Sequence, residues 1–418
     1  MPCVLIFFYV NSMGRAVDFC RASISFMAQQ PCHIAGRRED IMKFRTNCLI
    51  RCACALAALM TSLPLCAQQE MKTPARLKIE AFDAPAAGTA AGLGTFAFGN
   101  NDEGAIVGYY VDSNVVPHGF LRTPDGKLKS FDAPGAGLGA GLNQGTVAYT
   151  LNDLGLVVGQ FEDDNYVFHG YVREHDGRFT QIDAAGAGTA ANQGTLAWDI
   201  NIEGATAGIY VDSVFAQHGF ARSRQGEVQE FDPPGSAGTM VCEETCLNAD
   251  GEITGFYLDA NTVFHGFVRR ADGDIRTFDA PGAGTGAFQG TFAASINAEG
   301  EITGYTVDGN NVSHGFLRSR NGAYHLFDVP AASTASGEGT APFSINLDGA
   351  VTGEFLDANS ALHGFSRSPH GSIVTFDAPG AGAAATQGTR PSTNNSAGEV
   401  AGWYVDADNV GHGFLVKP

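Results

Sequence analysis

The chain has 418 residues, of which 54 are glycine and only 17% are charged, and its formal net charge is −19. A hydrophobic content of 44% is ordinary for a folded protein, so the glycine indicates many tight turns rather than a disordered chain. Residues 68–418 hold 18 basic and 41 acidic side chains, and this imbalance argues against nucleic acid or an anionic membrane as a partner.

The N-terminal region differs in composition from the rest of the chain. Residues 42–45 form a basic start, and an apolar run from Ala53 to Leu65 precedes a small residue at Ala67. This order is typical of a secretory signal, and the apolar run is too short to span a membrane. We therefore predict a signal peptide at residues 42–67 and a linker at 68–75, and we interpret residues 1–41 as an upstream mis-start or a disordered extension.

This leader predicts a secreted or periplasmic protein. Leu65 stands before Cys66 where a lipoprotein signal prefers a small residue, so an outer-membrane lipoprotein is the less favoured reading. Seven of the nine cysteines lie at or before Cys66, which leaves Cys242 and Cys246 in the mature chain. A disulfide between these two could close a local insertion in the fourth repeat. We predict a monomer without a transmembrane segment.

From residue 76 onward the chain is built from repeats. His-Gly-Phe or His-Gly-Tyr occurs seven times, at steps of 51, 49, 47, 49, 49 and 49 residues. In the fifth copy, runs rich in β-branched and aromatic residues at 292–296, 301–308, 314–318 and 324–328 are separated by Gly, Asn and Asp. This pattern predicts four strands per unit, labelled a to d, and no stretch of the repeats has helical periodicity.

Four strands in a unit of about 49 residues, repeated seven times, are typical of β-propeller blades. The last copy stops after its strand c, whereas an orphan strand d at 77–83 precedes the first copy. Pairing these two segments would complete the seventh blade and cover two open sheet edges. We therefore predict an all-β fold, a seven-bladed β-propeller at residues 76–418, closed by an N-terminal strand that completes the last blade.

The signature His-Gly-Phe-x-Arg, following Gly-x-Tyr/Phe-x-Asp, resembles the bacterial extracellular repeats of the HAF family. The resemblance covers residues 76–418, although the middle position, often Ala in that family, is Gly in every copy here. It implies an extracellular repeat protein and no particular activity. From its position, we expect the Arg that follows the motif to pair with an acidic residue at a blade edge.

An Asp lies six residues before each motif histidine. These side chains could form a ring of ligands for metal ions or polar groups, or each Asp could fix its hairpin by bonding a His ring or a backbone N–H. Sevenfold recurrence favours the structural reading, because a ligand site seldom needs every blade. Loop Asp and Asn residues suit Ca²⁺, but no loop completes a calcium-binding pattern, so we assign no metal and no cofactor and leave Ca²⁺ as an open alternative. The repeat pairs are Asp112 and His118, Asp163 and His169, Asp212 and His218, Asp259 and His265, Asp308 and His314, Asp357 and His363, and Asp406 and His412.

Function is better sought where the copies differ. The strand-a aromatics Phe98, Tyr149, Trp198 and Phe343 break the symmetry, and Asp199 is the one charged residue at its strand-a position. Aromatic rings near a central channel can stack on sugars, but most such rings pack between blades, and packing is the favoured interpretation. The candidate ligand face consists of Phe98, Tyr149, Trp198 and Asp199.

The sequence contains no serine-nucleophile elbow, no His-Glu-x-x-His and no Cys-x-x-Cys, so we assign no catalytic residue. It is best interpreted as a secreted binding or scaffold module for an unknown extracellular ligand, either a glycan or a protein. The alternative is an extracellular lyase or hydrolase with an asymmetric site on the loop-rich face. An asymmetric cluster of acids, His and Arg in the central funnel would favour the enzyme, and a nearly sevenfold-symmetric funnel would favour binding or a purely structural role.

Overall fold

The computed structural model describes residues 77–139, 144–241 and 245–418. The predicted mis-start, signal peptide and linker therefore lie outside the described residues. The described part of the chain is all-β, with 28 strands and no helix. Accordingly, nothing in those ranges forms a helix that is long and apolar enough to cross a bilayer.

The strands pair as antiparallel sets of four, each running from a to d. Set one holds β2 (Gly94–Asn100), β3 (Ile106–Val111), β4 (Pro117–Arg122) and β5 (Leu128–Phe131), and set two holds β6 (Gly145–Leu151), β7 (Val157–Glu162), β8 (Phe168–Arg173) and β9 (Phe179–Ile182). Set three holds β10 (Gly194–Ile200), β11 (Thr206–Val211), β12 (Gln217–Arg222) and β13 (Val228–Phe231), and set four holds β14 (Gly238–Val241), β15 (Ile253–Leu258), β16 (Phe264–Arg269) and β17 (Ile275–Phe278). Set five holds β18 (Gly290–Ile296), β19 (Ile302–Val307), β20 (Ser313–Arg318) and β21 (Tyr324–Phe327), and set six holds β22 (Thr340–Ile345), β23 (Val351–Leu356), β24 (Leu362–Arg367) and β25 (Ile373–Phe376). Set seven holds β26 (Gly388–Asn394), β27 (Val400–Val405), β28 (Gly411–Lys417) and, as its strand d, β1 (Lys78–Phe82).

The N-terminal strand pairs with the last strand of the chain. β1 lies antiparallel to β28, with Lys78 opposite Lys417 and Phe82 opposite Gly413. The pairing predicted for the orphan strand is therefore confirmed. Neighbouring sets also meet through single parallel bridges, such as the one between Gly94 and Gly411. Consecutive four-stranded antiparallel units that meet side by side in this way have the architecture of a β-propeller.

The core of each set is built on the aromatic residue of the repeat motif. In set one, Phe120 is fully buried and lies opposite Gly108 of strand b. A Cβ atom at Gly108 would collide with the carbonyl oxygen of Phe96 and crowd the Phe120 ring, so only glycine fits there. The same fully buried position is held by Tyr171, Phe220, Phe267, Phe316, Phe365 and Phe414 in the other sets.

A circle of asparagine side chains links the turns between strands a and b. Each Asn is the first residue of an Asn-x-x-Gly turn, and its Oδ1 accepts the backbone N–H four residues later, as Asn101 does from Ala105. Its Nδ2 donates to the backbone oxygen of the corresponding Asn in the next set, at 2.9 to 3.2 Å. The circle closes on itself and runs through Asn101, Asn152, Asn201, Asn248, Asn297, Asn346 and Asn395.

Candidate functional site

Each motif histidine lies between two aspartates rather than beside one. In set five, His314 Nδ1 is 3.0 Å from Asp328, which follows strand d, while its Nε2 is 3.7 Å from the predicted partner Asp308. The Nε2 distance to the predicted Asp is 3.5 to 3.8 Å in six sets and 3.2 Å only for His412 and Asp406. The predicted pairs are therefore close in space, but the closer partner of each ring is the second Asp, 14 residues further on in sets one to six. These second aspartates are Asp132, Asp183, Asp232, Asp279, Asp328, Asp377 and, across the closure, Asp83.

The predicted Asp of each pair also fixes the hairpin between strands b and c. Asp308 Oδ1 accepts the backbone N–H groups of Asn310 and Val312 at 2.8 Å. The Val312 amide is the main cause that lowers the pKa of Asp308, against the opposing effect of burial. On the imidazole side, the hydrogen bond to Asp183 raises the pKa of His169. Each set thus keeps a partly exposed row in which one imidazole lies between two aspartates.

The arginine that follows the motif contacts an aromatic ring rather than an acid. Arg318 lies 4.5 Å from the ring centre of Phe278, which belongs to strand d of the preceding set. The same stacking occurs for Arg122, Arg173, Arg269 and Arg367. Within the described ranges, only Arg122 among the motif arginines also reaches a carboxylate, that of Glu80. The expected acidic partner was therefore wrong for Arg173, Arg269, Arg318 and Arg367, whose guanidinium lies over a ring of the preceding set, and no ion pair is present at Arg222 in the described ranges either.

The residues of the predicted ligand face lie at a β-bulge of strand a. The register shifts by one residue at Phe98, Tyr149 and Trp198, which turns these rings against one another. Their ring centres are 5.6 and 6.5 Å apart in consecutive pairs. Trp198 is fully buried, Phe98 is 9% exposed, and only Tyr149 is half-buried. The structure thus offers little of this group to a ligand.

Asp199, the fourth residue of that predicted face, is also buried. Its carboxylate accepts the backbone N–H groups of Ile200 and Leu247, both at 2.8 Å. Burial raises its pKa to about 6, although the Leu247 amide acts in the opposite direction. Leu247 belongs to set four, so Asp199 ties the irregular fourth set to the third.

Of the predicted disulfide pair, Cys246 is fully buried beside Leu247, and Cys242 lies outside the described residues.

A cavity of about 260 Å³ opens at the end of the strands where the asparagine circle lies. All seven sets line it, and Asp199 and Thr393 are among its walls. Much of its polar lining is already engaged, since Thr393 donates to Asn100 and Ser344 donates to Asn394 at 2.8 and 2.9 Å. These hydrogen bonds join one set to another, so the polar groups that line the cavity hold the sets together.

In each set, one residue of strand a and its cross-strand partner on strand b form a pair at the same level of the inner strands. We call these seven pairs the belt. Aromatic contacts continue the belt between sets, as for Phe256 and Phe292 at 5.1 Å and for Trp403 and Phe96 at 5.1 Å. The belt consists of Phe96 and Tyr109, Val147 and Gln160, Leu196 and Ile209, Met240 and Phe256, Phe292 and Tyr305, Ala341 and Glu354, and Arg390 and Trp403.

The belt is interrupted between sets five and seven. Ala341, which lies opposite Glu354, carries only a methyl group at a position where the other sets carry a larger side chain. Next to it, Arg390 Nε lies 3.3 Å from Glu354 Oε2 and its guanidinium lies 5.0 Å from the ring centre of Trp403. Tyr305, Ala341 and Arg390 are partly buried, as are Met240, Phe256 and Phe292 of sets four and five, whereas the belt residues of sets one to three are buried. We call this group, Tyr305, Ala341, Glu354, Arg390 and Trp403, the belt gap.

The two charged side chains of the belt gap, Glu354 and Arg390, are largely buried. The side chains of Glu354 and Arg390 are 11% and 19% exposed. Burial raises the pKa of Glu354, while Arg390 acts to lower it. A buried ion pair commonly stabilises a fold less than a well-packed apolar pair does, by about 1–4 kcal/mol. The ion pair of the belt gap is therefore expected to stabilise the fold less than the aromatic pairs that sets one and five carry at the same position. This lower stability marks the belt gap as the candidate functional site.

Comparisons with known proteins bear on the fold. No family model and no curated protein matches the chain. Among solved structures, a puromycin hydrolase mutant in complex with PGG is similar with a TM-score of 0.50 and 14% identity, over 78% of this chain and 52% of that enzyme. The lectin BP39L from Burkholderia pseudomallei has a TM-score of 0.49 and 13% identity, over 75% of this chain and 92% of that one. A fungal lectin from Aleuria aurantia with a six-bladed β-propeller fold has a TM-score of 0.34 and 14% identity, over 62% and 86%. The chain spans about half the length of the hydrolase, and the likeness extends to the fold alone.

Proposed function

We propose that the seven sets are the blades of one closed β-propeller that is exported and binds a glycan at the belt gap. The closed asparagine circle and the pairing of β1 with β28 support the closure and the blade number. Export rests on the leader predicted at residues 42–67, and assignment to HAF-type repeats rests on the motif. The binding role rests on the belt gap.

The belt gap has the chemistry that sugar recognition uses. A pyranose offers hydroxyl groups in one plane and C–H groups on its faces. Arg390 and Glu354 supply charge-assisted donors and acceptors for neighbouring hydroxyls, and the partly exposed Tyr305 supplies aromatic surface beside them, whereas Trp403 is buried and lies 5.0 Å from the Arg390 guanidinium. Ala341 carries the smallest side chain of the belt. Because residues 68–418 carry 41 acidic and 18 basic residues, a neutral glycan fits this protein better than an anionic one.

A hydrolase or lyase is the second candidate, because the gap is asymmetric and contains an acid and an Arg. Hydrolysis of a glycosidic bond normally needs two carboxyl groups, one acid and one base or nucleophile. Within the belt, Glu354 is the one carboxylate, and its nearest charged neighbour is Arg390. The pair therefore favours holding a ligand over cleaving it.

A screen of the purified protein on a glycan array tests the proposal, followed by calorimetric titration of each hit. Arg390→Phe combined with Glu354→Gln removes the ion pair without leaving a buried charge, restores the aromatic residue that Phe96 and Phe292 supply and places at 354 the amide that Gln160 supplies in set two, so the double variant should abolish binding without loss of folding. Met240→Leu, at the same belt position in set four, is the matched control and should bind as the parent does. No hit on the array, or hits that the double variant leaves unchanged, would remove the proposal. Release of free sugar from a hit would favour the hydrolase instead.

A further inference from the structure

The hairpin between strands b and c of set two, residues 163–167, follows a residue that no other set has at this position. Strand β7 ends at Glu162, which is buried, and within the described ranges neither of its carboxylate oxygens has a hydrogen-bond partner. Across the sheet, Glu162 lies opposite Gly145 and Phe168, neither of which has a polar side chain. The charged residue that acts on it is Asp163, which has the same sign. An ionised Glu162 is therefore a buried anion without a counter-charge.

The histidine just beyond this hairpin lies between two carboxylates. His169 Nδ1 is 2.8 Å from Asp183, which follows strand d, and its Nε2 is 3.8 Å from Asp163. The ring stacks on Phe161 at 4.9 Å, and the amide of Gln181 lies 3.0 Å from Nδ1. An imidazolium carries a proton on both ring nitrogens and attracts both carboxylates, whereas a neutral imidazole donates from one nitrogen only. The hold of His169 on the hairpin thus depends on its proton.

The same hairpin is strained at its tip. Tyr166 has a left-handed backbone, with φ of 62°, and is 44% exposed. Set five has Asn311 at this point, a residue type that tolerates the conformation far better than a bulky one. Set three holds the hairpin of set two through backbone hydrogen bonds, from the Asn192 N–H to Tyr166 at 2.7 Å and from the Phe168 N–H to Gln193 at 2.8 Å. Opening relieves the strain, so this hairpin opens at a lower cost than an unstrained one.

We propose that the hairpin at 163–167 is a pH-operated flap, closed in acid and opened more often as the pH rises through neutrality, with Glu162 and His169 as its two proton-binding groups. Loss of the proton from Glu162 leaves a buried anion beside Asp163. Loss of the proton from His169 removes its attraction for one of the two carboxylates. Opening lets water reach Glu162 and frees the hydrogen bonds that join sets two and three at this edge.

The two titrations act in the same direction. Burial, with a contribution from Asp163, raises the pKa of Glu162 to about 7, and the hydrogen bond to Asp183 raises the pKa of His169. Stabilisation from a group with a raised pKa is complete below its unfolded pKa and is lost as the pH rises through its folded pKa. Against the effect of burial, the Val167 amide lowers the pKa of Asp163, and the bond to His169 lowers the pKa of Asp183. Both aspartates therefore stay ionised across this range and leave the change to Glu162 and His169.

Amide hydrogen exchange of the purified protein at pH 5 and pH 8, corrected for the intrinsic rates, tests the proposal. The shift in the pKa of Glu162 from 4.5 to about 7 predicts that protection of amides 165–168 falls by about 70-fold between these pH values, and His169 adds to this fall. The hairpin of set five is the matched control in the same molecule, because it follows Val307 and has Asn311 at its tip. Protection of amides 310–313 should change far less.

Three variants assign the effect to the two groups. Glu162→Val should remove most of the fall in set two, and Val307→Glu should bring a comparable fall to set five. His169→Gln should lower protection of the set-two hairpin at pH 5 and leave it unchanged at pH 8, where the parent histidine has lost its proton.

Equal falls in the hairpins of sets two and five of the parent would overturn the proposal, and so would a fall in set two that Glu162→Val leaves unchanged. Constant protection of set two between pH 5 and pH 8 would overturn it as well. Circular dichroism shows whether each variant is folded. If Val307→Glu does not fold, Glu162→Val still decides the matter, because valine is the residue that four other sets carry at this position.

Discussion

Glu162 occupies an apolar position of the repeat and should therefore destabilise the protein in a pH-dependent way. It ends strand β7, where the other sets carry valine or leucine, and it is 1% exposed. Within the described ranges, neither of its carboxylate oxygens has a hydrogen-bond partner. Burial, with a contribution from Asp163, raises its pKa from 4.5 to about 7. The corresponding residues are Val111, Val211, Leu258, Val307, Leu356 and Val405.

The pKa gives the size and the sign of the effect. A carboxyl group whose pKa is raised on folding stabilises the fold below its unfolded pKa, and this stability is lost as the pH rises through its folded pKa. A shift from 4.5 to about 7 corresponds to about 3 kcal/mol, lost between about pH 4.5 and pH 8. Glu162→Val removes the ionisable group and, with it, the loss of folding stability as the pH rises. The variant should gain about 3 kcal/mol more over the parent at pH 8 than at pH 4.5.

Chemical denaturation of the parent and the variant at both pH values measures this difference. Val211→Glu, which places a carboxylate at the same point of set three, is the reverse control and should lose stability as the pH rises. A gain in Glu162→Val that is the same at both pH values would refute the reasoning, because the carboxylate would then not be the cause. No gain at pH 8 would refute it as well.

Three further predictions concern the turns and the closure. Tyr166 has a left-handed backbone, with φ of 62°, where Asn311 stands in set five, so Tyr166→Asn should raise the free energy of unfolding by about 1 kcal/mol and Asn311→Tyr should lower it. Both changes are measured by denaturant titration, and equal midpoints would contradict the strain. Asn297→Ala removes three hydrogen bonds, one to Asn346 in the asparagine circle and two to Glu301 within its own turn, and should lower the free energy of unfolding by about 1–3 kcal/mol, with an unchanged midpoint as the contrary result. Deletion of residues 77–83 should abolish cooperative thermal unfolding, whereas deletion of 68–75 should not; a cooperative transition in the first variant would argue against closure by β1.

Much of the fold could be predicted because its determinants are local. The run predicted as strand b of the fifth copy, at 301–308, is strand β19 at Ile302–Val307. Alternating apolar residues between Gly-rich turns decide such strands without reference to the rest of the chain. The pairing of the orphan strand could be predicted in the same way, because the last copy lacks a strand d and an extra strand precedes the first copy.

The contacts between sets could not be predicted from one repeat. The Asn-x-x-Gly turn could be interpreted within its own unit, but the bond from Asn297 to Asn346 joins residues 49 apart, which only the packing of set five against set six brings together. The second Asp of each histidine row also comes from a different strand. For the ligand face, the β-bulge shifts the alternation of strand a, so Trp198 turns into the interior. Comparing the copies at the Ala341 and Arg390 position would have revealed the belt gap.

The affinity of the protein for a glycan identified on the array, measured before and after Ala341→Phe, tests the central claim most directly. Phenylalanine at this position reproduces the residue that sets one and five carry there and adds a ring opposite Glu354. If ligand enters the belt gap, the variant loses binding while its unfolding midpoint stays the same or rises. If Ala341→Phe folds and binds the glycan as tightly as the parent, the belt gap is not the binding site.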